Sequence, residues 1–284
     1  MMRVLVTGAR GLLGAAIIRE LSSDCDVHAR DHAALDVSDE SAVAADVAQI
    51  APDAIINCAA YNQVDRAETE PLPALQVNAF AVLALTRAAR DAGAVLVHYS
   101  TDFVFDGEAA RPYREEDAPN PRSVYAASKL LGEWFALECP GAYVLRVESL
   151  FGEPAPGTGR RGGSLAAIVD GIRAGREVPL FVDRTVSPSY TADVASATRQ
   201  LLERRVPAGL YHCVNRGAAT WDAIGREVAR LLDQPLHMKA MTLETAGLVA
   251  PRPRYCAMDP SKLADAGLDM PPWQDALRRF LGGR

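Results

Sequence analysis

The chain has 284 residues, of which 49% are hydrophobic and 23% charged, as is ordinary for a soluble globular protein. Its net charge of −6 and the lack of a basic run argue against nucleic acid and anionic membrane surfaces as partners. Five cysteines without CxxC spacing favour a reducing compartment and argue against a zinc site. With no secretory signal pattern and no run of eighteen apolar residues, we expect a cytoplasmic protein without a membrane span.

The first half of the chain alternates short apolar β-type runs with longer helical patterns. The predicted strands are Arg3–Thr7, Asp26–Ala29, Ala54–Asn57, Val95–Ser100 and Tyr143–Val147. The predicted helices between them are Leu12–Leu21, Glu40–Ile50, Leu72–Ala92 and Val124–Leu137. This alternation predicts an α/β fold with a parallel sheet, and the continuously apolar strands predict helices on both of its faces.

After residue 151 the pattern is less regular. A Gly-, Pro- and Arg-rich stretch at 152–163 predicts a loop, in which Arg160 and Arg161 are interpreted as exposed charge. The further predicted elements are helices at Ser164–Ala174, Asp193–Leu202, Trp221–Leu232 and Trp273–Leu281 and strands at Val178–Val182 and Gly209–Val214. We predict a main domain at 1–150, to which 183–206 returns, and a smaller region at 151–284 folded against it.

Three glycines, Gly8, Gly11 and Gly14, stand where the first predicted strand leads into the first helix. Such a turn needs one glycine for the tight bend, another where phosphate approaches the backbone and a third for close packing of helix and strand. The free N–H groups and the positive end of the helix suit a pyrophosphate. Glycines here can also be purely architectural, but the context of this GxxGxxG turn predicts a dinucleotide-binding domain at 1–150.

The type of dinucleotide depends on charges after the second predicted strand. An acidic residue there binds the ribose hydroxyls of NAD, whereas arginine suits the 2′-phosphate of NADP. Arg30 therefore favours NADPH, while Asp31 and Asp36 keep NADH open as an alternative. The same charges are also typical of a solvated loop.

Tyr125 and Lys129 stand four residues apart at the start of a predicted helix, so their side chains lie on one face. A phenol, with a pKa of about 10, is a poor acid–base group near neutrality. A neighbouring ammonium stabilises the phenolate and draws its pKa towards the working range. The pair therefore predicts proton transfer by Tyr125, and the Lys129 ammonium can also reach the ribose of a nicotinamide cofactor.

Thr101 ends the fourth predicted strand, within Ser100-Thr-Asp102. Ligands of open parallel sheets bind at the carboxyl ends of the strands, where this hydroxyl can hydrogen-bond a carbonyl that is being reduced. The alternative is a strand-end threonine that only caps the backbone. Together with Tyr125 and Lys129, the catalytic interpretation is favoured.

These motifs resemble the extended short-chain dehydrogenase/reductase superfamily and, more narrowly, the dTDP-4-dehydrorhamnose reductases, or RmlD-like sugar-nucleotide reductases. The superfamily motifs are the three glycines, Asn57-Cys-Ala-Ala60, Ser100-Thr-Asp102 and Tyr125-xxx-Lys129. The narrower motifs are Tyr61-Asn-Gln-Val-Asp65 with Glu68, Val77-Asn78, His98–Phe105, Ser187-Pro188 before Asp193, Gly209–His212 and Arg252-Pro253 before Asp259. The resemblance spans nearly the whole chain. It implies a Rossmann-type doubly wound parallel sheet with a smaller, mainly substrate-binding C-terminal region.

Site residues follow from the turn, the pair and the resemblance. The predicted catalytic set is Thr101, Tyr125 and Lys129. The predicted cofactor contacts are Gly8, Gly11, Leu12, Leu13, Gly14, Arg30, Asp36, Val37, Ala59, Ala60 and Asn62, together with Tyr125 and Lys129. The predicted substrate contacts are Thr101, Asp102, Phe103, Glu148, Ser149 and Arg252. The resemblance implies hydride transfer from NADPH, or NADH, to C4 of a nucleotide-linked 4-keto-6-deoxyhexose, with Tyr125 as the acid.

Several positions depart from that family's pattern. Phe103 stands where tyrosine is usual, Ser149 where tryptophan is common, Arg184 where glutamine is frequent and Cys256 where serine is. The first two remove a hydroxyl and a stacking surface near the sugar, so they bear on the substrate more than on the chemistry. Glu148 is either a pocket carboxylate or a structural acid bonded to nearby backbone.

The acidic cluster that binds magnesium between subunits in some relatives is not kept. The matching positions are Ala16, Asp193 and Gln274, which offer too few hard oxygen ligands. We predict no metal ion.

Three functions stay open at this point. The first is a sugar-nucleotide 4-ketoreductase, and the second is an epimerase of the same superfamily, which uses the same tyrosine–lysine pair but retains NAD. The third is a non-catalytic regulatory subunit, such as a methionine adenosyltransferase accessory subunit. The complete set of Thr101, Tyr125 and Lys129 disfavours the third. The expected partner is a nucleotide sugar, and a homodimer stays open.

Overall fold

The computed structural model describes residues 1–157 and 163–282. Its strands are β1 (Met2–Thr7), β2 (Cys25–Arg30), β3 (Ala54–Asn57), β4 (Val95–Thr101), β5 (Tyr143–Val147), β6 (Leu150–Phe151), β7 (Val178–Phe181), β8 (Thr185–Val186), β9 (Ser189–Tyr190), β10 (Gly209–His212), β11 (Ala219–Thr220) and β12 (Met238–Met241). Its α-helices are α1 (Leu12–Leu21), α2 (Glu40–Ile50), α3 (Val64–Thr69), α4 (Pro71–Leu75), α5 (Ala81–Ala92), α6 (Val124–Leu137), α7 (Gly163–Arg173), α8 (Thr191–Arg204), α9 (Trp221–Leu232), α10 (Ser261–Asp265) and α11 (Trp273–Gly282). Arg160 and Arg161, interpreted above as exposed charge, lie outside the described residues.

The central sheet has the order β10-β5-β4-β3-β1-β2 in the described part of the chain, and every pairing in it is parallel. The chain steps from β1 to β2 on one side and then to β3, β4 and β5 on the other, which is the doubly wound arrangement. Val4, Leu5 and Val6 of β1 have no exposed surface, because helices cover both faces of the sheet. The predicted α/β fold with a doubly wound parallel sheet is confirmed.

Two helical layers cover this sheet. On one face, Ile17 of α1 packs with Val194 and Leu201 of α8 in a core that includes Val6. On the other face, α2 and α5 pack on a core that includes Leu5. Helix α8 thus belongs to the layer that covers the main sheet, although it follows the loop region in sequence.

A further core lies among α7, α9, α11 and β7, in the region that follows residue 150. Its largest members are Phe151, Tyr190, Trp221, Trp273 and Phe280. The pairing of β7 with β12 extends this region, and β12 has no counterpart among the predicted elements. The division at residue 150 remains a prediction.

The predicted helix Leu72–Ala92 is a helical run with an irregularity. Between α4 and α5, residues Gln76–Phe80 form a π-helical turn that inserts buried Asn78 towards the core. Within the described residues, Pro71–Ala92 is the one helical run long and apolar enough to cross a membrane by length and composition, and half of it is buried. Its Val82 and Leu85 belong to a core cluster, so this run has the position of a core helix.

Candidate active site

A cavity of about 480 Å³ opens at the carboxyl ends of β3, β4 and β5, next to the start of α1. The predicted residues that line it are Gly11, Leu12, Leu13, Ala59, Ala60, Asn62, Thr101, Asp102, Phe103, Tyr125, Lys129 and Ser149. The predicted residues that are not part of its lining are Gly8, Gly14, Arg30, Asp36, Val37, Glu148 and Arg252. One cavity therefore joins the glycine turn, the tyrosine–lysine pair and Thr101.

The glycine turn is shaped by close backbone approaches. Gly8 has φ +66°, and a Cβ there would lie 2.6 Å from the Ala59 nitrogen. A Cβ at Gly14 would collide with the carbonyl oxygen of Gly8. Gly11 caps α1 without a side-chain hydrogen bond, so the first N–H groups of this helix are not used by a capping side chain. A helix start of this kind fits a dinucleotide pyrophosphate.

The arginines near this turn are placed differently from what we expected. Arg30 Nη2 lies 2.9 Å from Asp46 Oδ1 and its Nε is 2.9 Å from Oδ2, so a carboxylate already holds this guanidinium. Arg10 instead lines the cavity, with a side chain that is 61% exposed. Its position directly before Gly11 was the signal that our sequence reasoning missed. Asp36 is exposed and accepts hydrogen bonds from Ser38.

Helix α6 presents Tyr125 and Lys129 to the cavity. Its first turn is fixed by Ser123, whose Oγ accepts from Ala126 N, and by Glu68, whose Oε1 accepts from Val124 N at 2.8 Å. Since four residues span about one helical turn, the two side chains emerge on the same face. Glu68 is therefore a positioning residue for this helix, and the sequence showed it only as part of a family motif.

The ammonium of Lys129 is buried and anchored to the sheet. Lys129 is 3% exposed, and its Nζ donates to the carbonyl oxygen of Tyr99 at 2.6 Å. Burial lowers its pKa from 10.5 to about 8, while the Glu133 carboxylate partly opposes this effect. An ammonium has three N–H donors, so two remain for groups in the cavity that Lys129 lines.

The phenol of Tyr125 has an environment that favours its protonated form. Burial raises its pKa, and the negative charge of Asp102 raises it further, whereas the Thr101 hydroxyl and Arg252 lower it. We expected Lys129 to be the charge that lowers this pKa, but here Asp102 and Arg252 are the charges acting on the phenol. The Lys129 ammonium is bonded to the carbonyl oxygen of Tyr99 instead. The phenol of Tyr125 thus keeps its proton near neutrality, and it releases that proton less readily than an unperturbed phenol does.

Thr101 combines the two roles that its position suggested. Its Oγ1 accepts from Phe103 N at 3.3 Å, which caps a short 3₁₀ turn at 102–104. The same hydroxyl donates to Asp102 Oδ1 at 2.8 Å. To donate to a substrate carbonyl, this hydroxyl must therefore turn away from Asp102.

The loop that carries Ala59, Ala60 and Asn62 is held by the π-helical turn. Asn78 Oδ1 accepts from Tyr61 N at 2.9 Å, and Asn78 Nδ2 donates to Tyr61 O at 3.0 Å. The same amide donates to Ser128 Oγ of α6. Asn78 thus ties the cofactor side of the cavity to the helix of Tyr125. The sequence indicates Asn78 only as part of a family motif, because helical periodicity does not register a π turn.

Of the other predicted substrate contacts, Phe103 and Ser149 line the cavity, whereas Arg252 and Glu148 do not. Phe103 packs edge-to-face on Tyr125 with 5.6 Å between ring centres, and Ser149 lines the cavity with φ +44°. Arg252 is turned towards Asp65, with 2.9 Å between Nη2 and Oδ2. Glu148 is 1% exposed and accepts from Ser187 N at 2.6 Å, which is the geometry of a structural acid. Arg184, noted only as a departure, lines the cavity.

Asp193, the one carboxylate among the three positions considered above for a magnesium ion, belongs to an internal ion pair. Arg279 donates to Asp193 Oδ1 at 2.7 Å and to Oδ2 at 2.8 Å. Asn215 Nδ2 also donates to Oδ2, at 2.7 Å. Both oxygens of this carboxylate are therefore engaged by protein donors.

We expect kcat/KM to fall as the pH rises through about 8, because Lys129 loses its proton there. Below this pH its side chain is an ammonium that donates hydrogen bonds and carries charge, and above it the side chain is a neutral amine. A pH profile of Lys129→Arg is the control, since a guanidinium stays charged throughout. An alkaline limb that persists unchanged in the arginine variant would contradict this assignment.

Known proteins resemble this chain along its whole length. The model of the family described as RmlD substrate binding domain matches residues 2–283. The chain is 38% identical to a dTDP-4-dehydrorhamnose reductase of Streptomyces griseus, over 97% of this chain and 91% of that protein. It is also 38% identical to a probable dTDP-4,6-dihydroxy-2-methyloxan-3-one 4-ketoreductase of Streptomyces antibioticus, over 98% and 94%.

A solved structure agrees with these sequence matches. The dTDP-4-dehydrorhamnose reductase of Bacillus anthracis, determined in complex with NADP, superposes with a TM-score of 0.93 at 31% identity, covering 100% of this chain and 99% of that one. The family model, the sequence matches and the superposition all cover the main sheet and the region that follows residue 150. The chain therefore belongs to the RmlD substrate binding domain family, within the extended short-chain dehydrogenases/reductases.

Proposed function

We propose that this chain is a cytoplasmic, NADPH-dependent reductase of the 4-keto group of a nucleotide-linked 4-keto-6-deoxyhexose. The observation that carries the proposal is that Thr101, Tyr125 and Lys129 line one cavity with the glycine turn. The named relatives are reductases of such sugars, and one was solved with NADP. The five cysteines are free thiols, as suits a reducing compartment.

The residues of the cavity divide the work of carbonyl reduction. NADPH, when bound, supplies the hydride that adds to C4. The electron pair of the C=O bond moves to oxygen, and Tyr125 Oη gives that oxygen its proton. Thr101 donates a hydrogen bond to the same oxygen once its hydroxyl leaves Asp102. The phenolate that results takes a proton back from water.

The cofactor would be held by three parts of the chain. The N–H groups at the start of α1 would bind the pyrophosphate, and Lys129 would donate to the nicotinamide ribose. Arg10 is the guanidinium nearest to the turn that lines the cavity, so it suits the 2′-phosphate that distinguishes NADPH from NADH. Arg30 would contribute only if it left Asp46.

The proposal covers a class of sugars and not a single sugar. Two relatives with the same 38% identity carry names for different 4-keto sugars. Phe103 and Ser149 replace residues that are usual in rhamnose-pathway reductases. The proposal therefore holds for any nucleotide-linked 4-keto-6-deoxyhexose, whatever the configuration of its other carbons.

The experiment mixes the purified protein with NADPH and dTDP-4-dehydrorhamnose, and follows the nicotinamide absorbance. We expect the absorbance to fall only when both are present, and more slowly with NADH than with NADPH. Absence of oxidation with any 4-keto-6-deoxy nucleotide sugar would contradict the proposal. Stoichiometric NAD that copurifies with the protein would instead favour the epimerase.

The homodimer is part of the same proposal. Trp134 and Leu137 of α6 are 59% and 42% exposed, which is unusual for large apolar side chains. A second copy that covers this face of α6 would remove them from water. Sedimentation of the purified protein reports the resulting mass.

A further inference from the structure

A compact cluster of ionisable side chains lies behind Thr101. Carboxylate oxygens of Asp102 and Glu148 and the sulfur of Cys256 all lie within 4.8 Å of one another. These residues are 2%, 1% and 0% exposed. A charged carboxylate in such a buried place needs a nearby cation. Arg184 is that cation, because its Nη2 lies 3.7 Å from Asp102 Oδ2 and 3.8 Å from Cys256 Sγ. A guanidinium thus stands where this trio could otherwise bind a metal ion.

The two carboxyl groups are fixed by neighbours other than Arg184. Asp102 Oδ1 accepts from Thr101 Oγ1, and Glu148 Oε2 accepts from the backbone nitrogen of Ser187. Their other oxygens, Asp102 Oδ2 and Glu148 Oε1, have no hydrogen-bond partner in the stretches 1–157 and 163–282. Asp102 therefore attracts the guanidinium from a fixed position, whereas burial raises the pKa of Glu148 well above its usual value, so its charge contributes less.

Arg184 is the member of the cluster that reaches the substrate side together with Asp102. Its side chain is 13% exposed and lines the cavity, whereas Glu148 and Cys256 do not. The guanidinium carbon lies 5.2 Å from the ring centre of Phe103, a cation–π distance that restricts its position further. Since Phe103 also packs on Tyr125, the cation is held close to the reacting centre.

The location of Arg184 indicates which part of the sugar it meets. In the proposed reaction Thr101 and Tyr125 hold the oxygen at C4, and Arg184 is separated from Thr101 by a single carboxylate, that of Asp102. Of the two carbons beside C4, C3 of such a sugar carries a hydroxyl, whereas C5 carries the methyl group and the ring oxygen, an acetal oxygen that accepts hydrogen bonds more weakly. A guanidinium only donates hydrogen bonds, so it suits the C3 oxygen.

We propose that Arg184 is a specificity-determining residue that donates a hydrogen bond to the C3 hydroxyl oxygen of a 4-keto-6-deoxy sugar nucleotide. Asp102 and the ring of Phe103 hold the guanidinium for this contact. The inference rests on the proposed 4-ketoreductase function. It predicts discrimination, because a sugar without the C3 oxygen leaves a desolvated guanidinium donor unpaired.

The test compares kcat/KM for a dTDP-4-keto-6-deoxyhexose and its 3-deoxy counterpart, with NADPH. The wild-type protein should prefer the 3-hydroxy sugar by about 10- to 100-fold. In Arg184→Gln, whose shorter, neutral amide is a weaker donor than a guanidinium, this preference should shrink, because the rate with the 3-hydroxy sugar falls more than the rate with the 3-deoxy sugar. Arg184→Lys, which keeps the charge but not the forked donor, should fall between the two.

Binding measurements separate this contact from other roles. Arg184→Gln should bind NADPH and dTDP as the wild type does; lost dTDP affinity would place Arg184 on the diphosphate and overturn the proposal. An equal loss of rate on both sugars would also overturn it, since Arg184 would then be a counter-ion only. If Arg184→Gln is unstable, Arg184→Gln/Glu148→Gln removes the cation together with one carboxyl group. A wild type that reduces neither sugar contradicts the proposed function itself, whereas unchanged discrimination in the variants contradicts only this inference.

Discussion

Replacing Tyr125 with phenylalanine should lower kcat by about 10²- to 10⁴-fold while NADPH binding and stability are retained. The substitution removes only the hydroxyl, whose hydrogen bond to Asn62 Oδ1 is long at 3.5 Å. The ring stays packed with Ala67, Ala74 and Phe103. The loss therefore reports the missing acid rather than a damaged site.

Stopped-flow or steady-state turnover with saturating NADPH measures this loss, and NADPH titration of the variant is its control. The outcome also separates an enzyme from a regulatory scaffold. A scaffold that binds a nucleotide without turnover would be indifferent to the hydroxyl. Turnover within a few-fold of the wild type would show that another group protonates the substrate.

The second large effect concerns stability and comes from a buried ion pair under the active-site helix. Arg146 of β5 donates to Glu133 of α6 twice, from Nε at 2.8 Å and from Nη2 at 2.7 Å, and both residues are 1% exposed. Arg146→Met leaves the Glu133 carboxylate buried without a counter-ion. We expect the free energy of unfolding to fall by about 3–5 kcal/mol.

The double variant Arg146→Met/Glu133→Leu is the matched control, because it removes both charges together. Replacement of a whole buried pair by apolar side chains is often neutral or stabilising, so the double variant should be clearly more stable than the single one. Urea unfolding at neutral pH measures all three proteins. A double variant as unstable as Arg146→Met would show that packing, and not the unpaired charge, is the cause.

The pair also connects stability with chemistry. The Glu133 carboxylate raises the pKa of Lys129 against the larger effect of burial. Without this carboxylate, the double variant should lose activity at a lower pH than the wild type does. Its pH profile should therefore shift to the acid side.

The sequence predicted the sheet and most helices well, because long apolar strands and amphipathic helices leave a strong periodic pattern. Helix α5 and its preceding turn show the limit of this pattern. The π-helical turn around Asn78 leaves the overall helical periodicity of the sequence unchanged. The periodicity therefore does not indicate the turn that holds the Tyr61 loop.

The structure brings together the candidate site residues that the backbone itself positions, and their roles stay predictions. The glycines and the Tyr125–Lys129 pair lie in or beside the cavity because a turn and a helix face fix them. The positions of charged side chains depend less on local sequence, since a long side chain bonds to whichever partner folding brings near. Arg252 pairs with Asp65, which is 187 residues away in sequence, and Glu148 accepts a hydrogen bond from backbone 39 residues away. Neither partner could be read from local spacing.

The most direct test of the central claim is the transfer of deuterium to the sugar from NADPH that carries deuterium at both positions of the nicotinamide C4. The proposed reaction predicts a product that carries one deuterium at C4 of the hexose for each NADPH oxidised, as measured by mass spectrometry and NMR. An epimerase would return hydride from its own retained cofactor and leave the added NADPH unchanged. A product without deuterium at C4, or no product at all, would contradict the account.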